Sequence, residues 1–204
     1  LDADGTPHYA IERFRLGYLS SRTLYKLAKA HQKSSNTLLA FANPDGTLLG
    51  ARAEMESVMQ NGFPTAKVLY EKDAVKDSFF KLASSYRIIH FATHGIVTSD
   101  PTTSFLKMAD AELTVNDIIG FEGLEGKTDL VVLSACQTAL EKGQKTEDEP
   151  ISIASAFASA GAPSLVASLW SVNDESTREL MSHFYEGLKQ GGANGTDTLE
   201  ALRQ

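Results

Sequence analysis

Cys136 is the chain's single cysteine, and it follows directly on a short apolar run, Leu130-Val131-Val132-Leu133, by way of Ser134 and Ala135. A continuous apolar run of that length suits a strand buried on both faces of a parallel sheet. The thiol then sits where strand gives way to loop. Ligands gather at the carboxyl ends of strands in open α/β sheets, so a thiol delivered there is placed to act as a nucleophile. His94 stands in a matching position: Arg87-Ile88-Ile89-His90-Phe91-Ala92-Thr93-His94-Gly95 is a second apolar run, and it finishes in His-Gly. The chain between the two is long enough for a crossover and return, which allows both strand ends to share one edge. One cysteine with a distant histidine is the pattern of a thiol nucleophile and its proton-transfer partner. Taken alone, the same residues also fit a buried small hydrophobe and a loop histidine.

The other histidines read differently. Alternation puts His90 on the same side as His94 but deeper in the strand, the position of a hydrogen-bonded core histidine. His8, His31 and His183 have no companions at metal-ligand spacing.

Composition narrows the classes of function. At 204 residues the chain can build one well-packed domain, or one domain with a small appendage. A lone cysteine forms no internal disulfide, so nothing asks for an oxidising compartment, and a cytoplasmic location is expected. No apolar run approaches the roughly 20 residues of a membrane span, and no signal-peptide pattern opens the chain. Leu1-Asp2-Ala3-Asp4-Gly5 reads as a boundary inside a longer protein. The formal net charge is −7 and the 19 basic residues are scattered, which disfavours a nucleic-acid partner.

The elements that must position the two residues follow in order. His8–Leu19 alternates loosely and reads as one or two edge strands, and Ser21–Gln32 as a helix; residues 1–36 together form an N-terminal appendage, with the main domain over 37–204. Thr37–Ala42 is a strand closed by Asn43-Pro44-Asp45-Gly46, a turn sequence. Ala51, Met55, Val58 and Met59 mark an amphipathic helix ending near Asn61-Gly62. Ala66–Tyr70 is a strand, and Asp73 is expected to cap a helix buried through Val75, Phe79, Leu82 and Ala83. With the His94 strand this is β-α-β-α-β, the signature of a parallel sheet with helices on both faces. A small antiparallel hairpin, Ser104–Met108 with Glu112–Thr114, is expected as an insertion after His94, then a short helix over Val115–Gly120 capped by Thr114. Beyond Cys136, Ala139–Pro150 is a polar loop. A helix of small residues ends at Gly161, Pro163–Trp170 is a buried strand, and Asn173 or Asp174 caps a long helix with Leu180, Met181, Phe184, Tyr185 and Leu188 on one face. A last helix starts at Thr198.

Five motifs in order carry a resemblance: His90-Phe91-Ala92-Thr93-His94-Gly95, Leu133-Ser134-Ala135-Cys136-Gln137-Thr138, Ala156-Phe157-Ala158-Ser159-Ala160-Gly161-Ala162, Ser168-Leu169-Trp170-Ser171-Val172-Asn173-Asp174 and Phe184-Tyr185-Glu186-Gly187-Leu188. From about Thr37 onward the chain resembles a CHAT domain, the caspase-like cysteine protease domain related to separase and often found behind tetratricopeptide repeats. Gln137 and Ala139 depart from the Glu and Gly common in the family, although caspase-type elbows accept Gln after the cysteine.

The resemblance implies a caspase–hemoglobinase-like α/β fold and peptide hydrolysis by a Cys136–His94 dyad, with backbone N–H groups of Gly95 and Cys136 holding the oxyanion. It implies a protein or peptide substrate, an upstream tetratricopeptide or other regulatory region, and no metal or cofactor. Asp174 would pair with a basic P1 residue, and Trp170 would wall the pocket. A carboxylate at a helix start also caps N–H groups, so Asp174 can be a cap, a substrate contact or both. The acidic loop Glu141–Glu149 fits a solvated linker or an activation switch. Two other functions stay open: a catalytically idle scaffold for protein–protein interaction, against which the retention of both Cys136 and His94 argues, and redox or acyl-transfer chemistry, which lacks a second cysteine to resolve it.

Overall fold

The structure is a computed structural model describing residues 9, 10, 14, 37–134, 153–168, 174–190 and 198–203. Its centre is a five-stranded sheet in the order β2-β1-β3-β7-β8 with every neighbouring pair parallel. In chain order the described elements are β1 (Leu38–Ala42), α1 (Leu49–Asn61), β2 (Lys67–Tyr70), α2 (Lys76–Leu82), β3 (Ile88–Ala92), β4 (Gly95–Ile96), β5 (Phe105–Lys107), β6 (Glu112–Thr114), α3 (Val115–Ile119), β7 (Leu130–Leu133), α4 (Ile153–Ser159), β8 (Ser164–Ala167), α5 (Asp174–Gln190) and α6 (Thr198–Arg203).

The central strands are apolar on both sides because both sides are covered. Leu39, Phe41, Ile89, Phe91, Val131 and Leu133 face α2, α3 and α4, where Phe79 lies at the middle of an aromatic cluster with Phe41, Phe80, Phe91, Phe121 and Phe157. Leu38, Ala40, Ile88, Leu130 and Val132 face α1, α5 and α6. Each face therefore has its own core, and the continuous apolar runs of β1, β3 and β7 follow from this. β8 is an edge strand among the described ones, and only Val166 in it is buried. That departs from the buried strand expected over Pro163–Trp170, of which residues 169 and 170 lie outside the described residues.

The hairpin after His94 is present: β5 pairs with β6, and β4 joins them as a third antiparallel strand. Thr114 caps α3 in a reciprocal box, its hydroxyl oxygen accepting from Asp117 N–H while the Asp117 side chain accepts from Thr114 N–H. Gly161 ends α4 at φ 97°, a left-handed conformation open to glycine.

Four further expectations are corrected. Asp73 does not cap α2; it lies in a 3-10 turn (Glu71–Asp73), and Asp110 from the β5–β6 turn accepts from Lys76 N–H at 2.8 Å instead. At the N-terminal end Ala10 is helical and Phe14 N–H donates to Ala10 O at 2.9 Å. A bond across four residues is helical in kind, which departs from an edge strand at these positions; the rest of the expected strands, at 8, 11–13 and 15–19, lies outside the described residues. Leu180 is exposed, so the buried face of α5 is Met181, Phe184 and Tyr185 with Leu188 partly covered. β3 ends at Ala92, so His94 is not in the strand with His90 but in the loop beyond it. The expected helix over 21–32 and the polar loop over 139–150 lie outside the described residues.

Candidate active site

The sheet order reverses direction between β1 and β3. From β1 the chain crosses to β2 on one side by way of α1, then returns over β1 to β3 by way of α2, and continues to β7 and β8 on the other side. A crevice opens at the carboxyl ends of the strands at such a switch point. The register levels these ends: Ala42 pairs with Ala92, and Phe91 with Leu133. Neighbouring strands run about 4.8 Å apart. His94 lies two positions past the end of β3, and Cys136 three positions past the end of β7.

His94 is clamped on both sides. Its backbone is held by the hairpin, since Lys107 N–H donates to His94 O at 2.8 Å and the Thr93 hydroxyl donates to Lys107 O at 2.6 Å. With that bond in place, Gly95 and Leu106 form a non-hydrogen-bonded antiparallel pair, so the Gly95 N–H points away from β5. The imidazole meets the turn after β1: Nε2 is 2.7 Å from Thr47 Oγ1 and 3.8 Å from Asp45 Oδ2. The turn itself is closed by Gly46 N–H on Asn43 O, and Asn43 is tied to both neighbouring elements, donating from its N–H to Ala92 O and accepting Leu48 N–H on its side chain.

Asp45 is the anchor of this turn. Its Oδ1 accepts from Thr47 N–H at 3.1 Å and from the Thr47 hydroxyl at 2.7 Å, while Lys107 Nζ lies 2.8 Å from Oδ2. Burial works against its ionisation, yet the hydrogen bonds from Lys107 and Thr47 and the Lys107 charge outweigh it, holding the Asp45 carboxyl well below the usual carboxylate range.

Beneath the crevice lies a buried polar group on the α1–α5 face. His90 Nδ1 is 2.8 Å from Tyr185 Oη, and Nε2 is 3.2 Å from Glu54 Oε1, with His90 and Tyr185 fully buried and Glu54 nearly so. Ser134, the residue after β7, donates its hydroxyl to Glu54 Oε2 at 3.2 Å. Burial pushes the Tyr185 phenol well above its ordinary value, with Glu54 adding to the effect. His90 is thus the hydrogen-bonded core histidine expected from the sequence.

Of the residues singled out from the sequence, the structure describes His94 and Gly95 and sets them at the switch-point edge. Cys136 and Trp170 lie outside the described residues, as does the side chain of Asp174, whose backbone opens α5. Sequence reasoning missed Asp45, Thr47, Lys107 and Glu54. Asn43-Pro44-Asp45-Gly46 was legible only as a turn, although an aspartate just past a central strand is itself a signal. Glu54 had a clearer one: it interrupts the apolar stripe Ala51, Met55, Val58 at helical spacing, where a carboxylate needs a buried partner.

A mostly parallel five-stranded sheet with helices on both faces, a hairpin inserted after the histidine and a strand leading to a cysteine defines an α/β domain of the caspase-like kind. The chain belongs to the CHAT domain family, whose model matches residues 1–204, and so also takes in the first 36 residues where no motif had been recognised. The family is related to caspase-like proteases. Comparison with curated proteins finds no significant match.

Proposed function

We propose that this chain is a cysteine endopeptidase in which Cys136 is the nucleophile and His94 its proton-transfer partner. The observation that carries this reading is the level ending of β3 and β7, adjacent parallel strands of which one leads to His94-Gly95 and the other to Cys136. The thiol proton passes to the imidazole as Sγ attacks the scissile carbonyl carbon and the carbonyl oxygen takes the negative charge. On collapse the C–N bond breaks and His94 returns the proton to the leaving amine. Water then attacks the thioester with His94 again taking the proton, which ends on the released sulfur.

The Gly95 and Cys136 backbone N–H groups hold the oxyanion, and the outward turn of the Gly95 N–H supports the first of these. Such a donor contributes about 2.7–4 kcal/mol in other enzymes. The substrate is a protein or peptide with Arg or Lys at P1, paired by Asp174 and walled by Trp170, bidentately for Arg.

The test is cleavage of peptides that differ only at P1. Wild type is expected to cut after Arg; Cys136→Ala and His94→Ala lose cleavage, and Asp174→Ala loses the P1 preference. Undiminished proteolysis in Cys136→Ala sinks the mechanism, and an unchanged P1 profile in Asp174→Ala reduces that residue to a helix cap.

A further inference from the structure

The turn after β1 does more than border the crevice. We infer that Asp45 and Thr47, fixed by Lys107, are positioning residues that hold the neutral His94 ring with its proton on Nε2, leaving Nδ1 as the basic nitrogen. The kinetic side of this inference rests on the proteolytic role proposed for His94, whereas the ring's protonation pattern does not.

Proton counting carries the inference. The Thr47 hydroxyl has one proton to give and two close neighbours, Asp45 Oδ1 at 2.7 Å and His94 Nε2 at 2.7 Å. Asp45 is ionised, with Lys107 Nζ on its other oxygen, and accepts only. Were the hydroxyl proton given to Nε2, the Thr47 oxygen and the Asp45 carboxylate oxygen would face each other at 2.7 Å with no proton between them. The hydroxyl proton therefore goes to Asp45, and the second bond runs the other way, from Nε2–H to the Thr47 oxygen. A neutral imidazole has one N–H, so with Nε2 protonated the lone pair lies on Nδ1. Among the described residues no hydrogen bond reaches Nδ1.

The arrangement is built, not incidental. Asp45 Oδ1 also accepts Thr47 N–H at 3.1 Å, so backbone and side chain of Thr47 are fixed by the same oxygen. Lys107 grips both ends of the chain of bonds: its ammonium holds Asp45, and its backbone N–H holds His94 O at 2.8 Å. Two segments distant in sequence, the β1 turn and β5, thus hold His94 at the β3 end, the first at its ring and the second at its backbone. When Nδ1 takes the Cys136 proton, the ring becomes a cation with the Asp45 carboxylate 3.8 Å from Nε2. The threonine hydroxyl relays that stabilisation without moving a proton of its own. Asp45 thus acts through Thr47 on His94 and touches no reacting atom.

The experiment is nitrogen-15 NMR of the His94 ring in the 204-residue chain, the resonance being assigned by its loss in His94→Gln. With the ring neutral, wild type is expected to show an amide-like, protonated Nε2 and a pyridine-like Nδ1. Thr47→Val, close in shape but without the hydroxyl, shifts the ring toward the Nδ1-protonated form. With a peptide substrate it lowers kcat by about 100-fold, the lower end of what positioned proton transfer contributes, with KM little changed. Thr47→Ser returns both the ring signature and kcat. Asp45→Asn provides a second perturbation through the carboxylate if the valine variant folds poorly. An Nδ1-protonated ring in wild type, or a ring signature unmoved in both Thr47→Val and Asp45→Asn, overturns the inference even if proteolysis is intact. A chain that cuts no peptide but shows the expected ring signatures fails the functional proposal and upholds the positioning.

Discussion

Replacing Tyr185 by Phe removes one hydroxyl and leaves the ring in place. The ring is held edge-on by Phe63 and Phe184, each with centroids 5.3 Å away, so the substitution opens only the space of one oxygen. What is lost is the 2.8 Å bond to His90 Nδ1, and both partners are fully buried. A hydrogen bond between neutral groups contributes about 0.5–1.5 kcal/mol net, but orphaning a buried polar atom raises the cost to about 1–3 kcal/mol. His90 is fully buried, and its other nitrogen faces Glu54 without a well-aligned hydrogen bond. The upper half of that range is therefore expected, about 2 kcal/mol. In urea unfolding followed by far-ultraviolet circular dichroism, with m of about 2 kcal/mol/M, the midpoint falls by about 1 M at unchanged m. A loss under about 0.5 kcal/mol refutes the reasoning, because His90 must then find a different partner at no cost. The same network reaches Ser134 through Glu54, at the strand end that leads to Cys136.

Gly161→Ala is expected to lower the melting temperature by several degrees: a Cβ there would sit 2.8 Å from the Glu125 Cα, and the φ of 97° is strained for any side chain. An unchanged melting temperature contradicts both points. Acid should destabilise the fold through Asp45 and Asp117. Burial opposes ionisation at each, but Lys107 and Thr47 at the first and Lys76 and Thr114 at the second lower the native values. Because the native carboxyls titrate below the unfolded value of about 3.9, their contribution is complete above that pH and is lost as pH falls through the native values. Thermal unfolding between about pH 6 and 2 should accordingly fall less steeply in Asp45→Asn/Asp117→Asn than in wild type; parallel curves contradict the assignment.

Much of the sheet was legible because its signal is local. The runs Leu38–Ala42, Ile88–Ala92 and Leu130–Leu133 are apolar on both faces, and that alone indicates buried parallel strands. Thr114 with Asp117 announces α3 within four residues. Long-range partners left no such trace. Asp73 stands in the right place to cap α2, yet the N–H of Lys76 is taken by Asp110, brought there by a hairpin 34 positions on. The loose alternation of Tyr9, Ile11, Phe14, Leu16 and Tyr18 suggested strands, but Phe14 bonds back to Ala10 as in a helix. The candidate site divides the same way. His94-Gly95 and Cys136 stood out by type and by their place after apolar runs. Asp45, Thr47 and Lys107 join His94 only through the folded register of β1, β3 and β5, which no spacing within one segment encodes.

Covalent capture tests the proteolytic reading most directly. The chain is incubated with a peptide acyloxymethyl ketone bearing Arg at P1, digested and read by mass spectrometry. One adduct per chain is expected, on Cys136, slowed strongly in His94→Ala and blocked by prior alkylation with iodoacetamide. A wild-type chain that carries no adduct at Cys136, or a Cys136→Ala variant labelled as well as wild type, contradicts it.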